Sequence, residues 1–147
     1  MRFLPAALAV IAALSLCAPA LAQDEESVYA SLVTIFGEEE AENFNTIYET
    51  IVFNISDAEL MAEMGSYPFQ VEANGELYDI FEPADFIDNF EALVMPETIE
   101  AVASTDYADL IVTDEGVGFA DGALWVNLVC FDEDCTAANW GITRINN

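Results

Sequence analysis

Apolar residues recur at helical spacing through the first part of the chain and switch to strict alternation later. From Ser27 to Phe36, Val28, Leu32, Ile35 and Phe36 share a helical stripe. After Gly37, a second stripe runs through Phe44, Ile47, Tyr48, Ile51 and Val52. Glu38, Glu39 and Glu40 open that helix, where the macrodipole favours negative charge. ISDAELMAEMG predicts a short third helix over 57–64, with Ser56 and Glu59 as a capping box. Ile55 is placed to staple against Leu60, and Gly65 to stop the helix. Then Phe69 and Val71 alternate with Gln70 and Glu72, and Asn74-Gly75 predicts a hairpin turn before LYDIF. Pro83 fits the first turn of a further helix that buries Phe86, Phe90 and Leu93. Pro96 closes it and opens a short helix through Ile99 and Val102.

The remainder reads as strands. ADLIVT (108–113) leads to GVGF (116–119), and Asp121-Gly122 offers a second hairpin turn. In ALWVNLVCF (123–131), Leu124, Val126 and Leu128 alternate against Trp125, Asn127 and Val129. NWGITRIN (139–146) is the last strand. Helices first, strands last and a helix between two β segments define an α+β domain with N-terminal helices on a mainly antiparallel sheet.

The first residues change where this domain is expected to reside. Arg2 precedes an apolar run from Ala6 to Leu16, and Ala20-Leu21-Ala22 has the small-x-small pattern of a signal-peptidase site. The run is shorter than the ~20 residues that span a bilayer. Residues 1–22 are therefore expected to be a secretory signal cut between Ala22 and Gln23. Residues 23–147 would form a single acidic domain, delivered to a bacterial periplasm or secreted.

Charge narrows the partners. All 28 acidic residues follow residue 22, and Arg144 is the only cation there, so this part carries −27. Such a surface repels nucleic-acid phosphates and anionic lipid headgroups, and attracts cationic proteins. With 54% hydrophobic and 12% aromatic residues, the chain has the apolar content of a folded domain.

CFDEDC (130–135) holds the two cysteines that remain once Cys17 leaves with the signal. In an oxidising compartment, Cys130 and Cys135 are expected to form a disulfide across a short loop between the last two strands. Closing so short a loop contributes about 2 kcal/mol by chain entropy. The spacing is not C-x-x-C, and three acidic neighbours raise thiol pKa values, which disfavours redox chemistry. Without histidine or a second cysteine pair, structural zinc lacks ligands. Asp132, Glu133 and Asp134 leave calcium open, though without EF-hand spacing, and no metal is assigned.

Catalytic options are few. No histidine means no Ser-His or Cys-His nucleophile, and no lysine follows residue 22 for Schiff-base chemistry or a P-loop. Carboxylate chemistry with a tyrosine is left, with Asp79, Asp85, Asp106 and Asp109 near aromatics and Tyr67, Tyr78 and Tyr107 as phenols. Burial, not sequence, selects among so many acids, so no catalytic residue and no cofactor are assigned. Trp125, Trp140 and Arg144 form the candidate ligand-binding set. Alternation places Trp140, Ile142 and Arg144 on one face, where two tryptophans could line a pocket and the arginine could hold a carboxylate. The alternative is that both tryptophans are core and Arg144 pairs with a neighbouring acid.

The pattern YPFQV…NG…FIDNFEALV…ADLIV…GVGFADGALWVNL…WGITRIN, from Tyr67 to Asn147, resembles small exported bacterial proteins. Its order of elements is similar to the cone-shaped, cystatin-like α+β fold of nuclear transport factor 2 and ketosteroid isomerases. That resemblance implies a curved sheet on helices with a pocket between them, in a class that includes enzymes and binding modules. The expected function is a non-enzymatic exported domain that binds a cationic protein or a small ligand. The alternative is an isomerase-like or hydrolytic enzyme using carboxylate and tyrosine.

Overall fold

A computed structural model describes residues 23–147; the expected signal, with Cys17 and Ala22, lies outside the described residues. Helices α1 (Glu25–Phe36), α2 (Glu38–Asn54) and α3 (Ala58–Glu63) come first. A hairpin, β1 (Gly65–Ala73) and β2 (Glu76–Ile80), is followed by α4 (Pro83–Asp88), α5 (Phe90–Leu93) and α6 (Pro96–Ala103). Strands β3 (Ile111–Thr113), β4 (Gly116–Phe119), β5 (Leu124–Cys130) and β6 (Ala138–Asn146) complete the chain. The six strands lie in the order β2-β1-β6-β5-β4-β3, antiparallel except where β1 runs parallel to β6. This is the expected α+β arrangement. No helix among the described residues is long and apolar enough to cross a membrane.

Local signals account for most boundaries. Asp24 caps α1 in a reciprocal box with Ser27, a signal the stripe of apolar residues did not disclose. The cap of α3 is Asp57, which accepts from the Leu60 N–H at 3.1 Å, so the predicted Ser56–Glu59 box does not form. Both aspartates bring a carboxylate to the positive end of a helix. Gly65, expected only to stop α3, is also the first residue of β1. Asn89 divides the helix after Pro83, its side chain donating to the Asp85 carbonyl at 2.9 Å. ADLIVT opens as a 3-10 turn at Tyr107–Asp109, leaving β3 only three residues. Asn74 and Gly75 both have positive φ, as the tight β1–β2 turn requires.

The core is an aromatic layer between α1, α2 and the sheet. Phe44 is fully buried and packs against Trp140, Phe119 and Tyr107, with ring centroids 4.9, 6.2 and 6.5 Å away. Phe36 meets Trp140 edge-on at 4.8 Å, and Tyr48 meets Tyr107 at 5.1 Å. Rings in these tilted contacts add about 0.5–1.5 kcal/mol per pair to their area burial. At the other end of the sheet, Asn147 joins three elements. Its Oδ1 accepts from Met95 N–H and the Thr98 hydroxyl, and its Nδ2 donates to the carbonyls of Glu72 and Leu93.

Cys130 and Cys135 are disulfide-bonded, as expected, with Cα atoms 4.8 Å apart. The loop they close is also tied by Asp132, which accepts from the Thr136 hydroxyl and from the Thr136 N–H at 2.7 Å. Replacing both cysteines by serine should lower stability by about 2 kcal/mol, measured by denaturant unfolding of oxidised and variant protein. A loss near zero would mean that the loop is held by other contacts. The bonds from the Thr136 hydroxyl, and then from its N–H, hold the Asp132 carboxyl below the usual range. A depressed folded value means that the stabilisation is present above the unfolded pKa, near ~3.9, and disappears as pH falls through the folded one. In an NMR titration the Thr136 amide should therefore shift below about pH 3.9 in the native protein and not in Asp132→Asn.

Candidate functional site on the open sheet face

The two tryptophans occupy opposite faces of the sheet. Leu124, Val126 and Leu128 of β5 face the helices, opposite Ile145, Ile142 and Trp140 of β6. Trp125 and Asn127 therefore point away from the helices. Regular alternation would have put Arg144 beside Ile142, but the register shifts. Trp125 pairs with Arg144 and Val126 with Ile142, leaving Thr143 as an extra, bulged residue. The bulge turns Arg144 onto the open face next to Trp125 and returns Ile145 to the core. Thus Trp140, Ile142 and Arg144 do not share a face, contrary to the sequence expectation. A readable signal was present: Ile142 and Ile145 are three apart, and strict alternation cannot bury both.

Across the open face, one row of paired positions runs Asp79, Gln70, Arg144, Trp125, Gly118 and Ile111. The Arg144 guanidinium carbon sits 5.3 Å from the centre of the Trp125 ring, a cation–π contact. Among the described residues no carboxylate oxygen comes within 4.0 Å of that guanidinium. The nearby Asp79 instead accepts from Gln70 Nε2 at 3.0 Å. The expected alternative, an arginine paired with a local acid, is therefore not what the structure contains. Trp125 is half-buried because two glycines make room for it. A Cβ on Gly118 would lie 3.1 Å from its Cζ2, and one on Gly122 would lie 3.1 Å from its Nε1. Beside this stack is an open recess of about 410 Å³, lined by Gln70, Glu115, Trp125, Asn127, Thr143 and Arg144.

Trp140 belongs to the core, at 8% exposure, and its Nε1 is buried without a hydrogen-bond partner. It reaches a different recess, of about 320 Å³, with Met64, Tyr67 and Asn139. The aromatic layer occupies the helix-facing side of the sheet at this end, where the resemblance implied a pocket.

Carboxylate–tyrosine chemistry would be marked by a buried acid, and the acids of the described residues can be placed against that mark. No carboxylate is buried: every acid is exposed except Glu40, which is half-buried. The acids that line recesses, such as Asp79, Asp85, Asp109 and Asp121, are all exposed. Tyr67 donates its hydroxyl to the Ala62 carbonyl at 2.7 Å, and Tyr78 donates to the exposed Glu76 carboxylate at 2.7 Å. Burial raises the Tyr107 and Tyr67 phenol pKa values, and the bond to Glu76 raises that of Tyr78, so none is primed to ionise. Among the described residues no three acids or cysteines converge to hold a metal ion, and the DED of the disulfide loop is no exception.

No family model matches the chain, and no curated protein or solved structure shows significant similarity to it.

Gly118→Ala should lift the indole from its seat. The expected outcome is a stability loss of about 1–3 kcal/mol and a shift in tryptophan emission, read by denaturation and fluorescence. Unchanged stability and emission would mean that the glycine does not seat the ring.

Proposed function

We propose that this chain is a non-catalytic, exported binding domain that takes a neutral, hydroxyl-rich small ligand, such as a saccharide, on its open sheet face at Trp125 and Arg144. The observation that carries this reading is a guanidinium, the only one among the described residues and with no carboxylate on it there, stacked on a half-buried tryptophan beside a polar recess. Arg144, Gln70 and Asn127 supply donors there, while Glu115 and Thr143 supply acceptors. Such mixed lining suits hydroxyl groups, which both donate and accept, and an indole offers an apolar platform. An anionic ligand, the first expectation for a lone arginine, meets Glu115 in the same recess and a surface of −27. A neutral ligand avoids that repulsion.

Other features support the setting. The disulfide and the signal-like leader fit a periplasmic or secreted bacterial protein. The order of helices and strands is compatible with the fold of nuclear transport factor 2 and ketosteroid isomerases, which serves binding modules as well as enzymes.

Tryptophan fluorescence titrated with maltose, cellobiose and chitobiose, with glucuronate as the anionic control, tests the reading. At least one neutral disaccharide should change the emission, with little dependence on salt. Arg144→Gln should weaken that binding about tenfold, roughly the loss of one hydrogen bond from a charged donor. Trp140→Phe should retain the response and Trp125→Phe should lose it. No response to any neutral sugar, or a response that survives in Trp125→Phe, would refute this site.

A further inference from the structure

A second surface lies at the sheet edge farthest from β3. Strand β2 is the outer neighbour of β1, so among the described residues one side of its backbone has no strand partner. Four of its five residues are exposed. Leu77 is 60% exposed and Phe81, just past the strand, 65%. Beneath them a groove of about 660 Å³ runs between β2 and the α4–α5 helices, lined in part by Leu77, Tyr78, Phe81, Asp85 and Leu93. Large apolar side chains at an unpaired edge are a liability in a monomer, and proteins usually block such edges with charge. Here the blocking charges have one sign. Glu76, Asp79, Glu82 and Asp85 are all exposed within ten residues, and no cation accompanies them.

That sign selects the occupant. A second copy of this chain would bring the same acids against these, and like charges directly opposite in a sheet are destabilising. A basic segment would neutralise them. We infer that β2 is a docking edge for an extended segment of a cationic protein, alternating basic and apolar residues, which adds to the sheet as a seventh strand. Backbone hydrogen bonds to the free edge supply part of the affinity, and side-chain pockets supply selectivity. On β2, Leu77 and Asp79 point to the open face, opposite Glu72 and Gln70 of β1, while Tyr78 and Ile80 point to the helix side. The partner's basic residues lie against the acids, and its apolar residues enter the groove by Tyr78, Phe81 and Leu93.

The inference does not depend on the sugar reading, since no residue of the Trp125 recess lines this groove. The probe is a capped peptide of about eight residues alternating lysine and valine, titrated into ¹⁵N-labelled protein. Amide shifts should cluster on Glu76–Phe81. Affinity should fall about tenfold or more between ~0.05 and ~0.5 M salt, as exposed charges are screened. Leu77→Ser and Phe81→Ser, both at exposed positions, should weaken binding about fivefold or more while leaving the remaining amide spectrum native. A lysine–serine peptide of equal charge, and a lysine–valine peptide N-methylated at alternate residues, should both bind weakly. If the lysine–serine peptide binds as tightly, or shifts scatter over the acidic helices, attraction is diffuse and the docking edge is refuted. If the N-methylated peptide binds unchanged, strand addition is refuted.

Discussion

Self-repulsion is the constraint that shapes this fold. Twenty-eight carboxylates face one guanidinium in residues 23–147, and that guanidinium is stacked on an indole instead of paired with an acid. Ion pairs therefore contribute nothing among the described residues, and cohesion falls to apolar burial. The aromatic layer from Phe36 and Phe44 through Tyr48 and Tyr107 to Phe119 and Trp140 is where that burial concentrates. Acids are also placed where the backbone can use them. Asp24 and Asp57 cap helices, and Glu38, Glu39 and Glu40 occupy the first turn of α2, at the end where partial positive charge accumulates. The chain keeps its charge on the outside and makes some of it serve the helices.

One extra residue in β6 sets what each side of the sheet presents. Without the bulge at Thr143, an arginine two places after Ile142 would point into the aromatic layer, where desolvation of an unpaired guanidinium is prohibitive. With the bulge, Arg144 meets Trp125 over a pair of glycines, beside Gln70 and Asn127 in the open-face recess. The same irregularity returns Ile145 to the core opposite Leu124 and Val71. Packing and candidate site thus rest on a single local departure from alternation.

Much of the architecture was legible because local and global preferences agree. Asn74-Gly75 marked its turn, Pro83 and Pro96 marked helix starts, and the stripe from Phe44 to Val52 marked the buried face of α2. The site was less legible. Which tryptophan is buried depends on the face each strand turns to the helices, and that was obscured by the bulge between Ile142 and Ile145. The Asp57 cap displaced the Ser56 motif by one residue, since either side chain can accept from a helix N-terminus and only geometry decides. The exposure of Leu77 and Phe81 was hidden for another reason. Their apolar character reads as core, and only strand order shows that they flank an edge.

Strand order also has a consequence in time. β6 lies between β1 and β5, yet it comes after the other five described strands in the chain. Until it emerges, the β1–β2 hairpin and the β3–β5 meander are two half-sheets with no strand to join them, and Phe36 and Phe44 lack the ring of Trp140. Residues 65–73 must wait for residues 138–146, a separation of about half the chain. Apolar strand faces that lack their central partner are surfaces on which partly made β proteins associate wrongly. In that interval the dense negative charge acts between molecules instead of within one: nascent or unfolded chains repel each other. The acidity that burdens the finished fold therefore protects its unfinished forms.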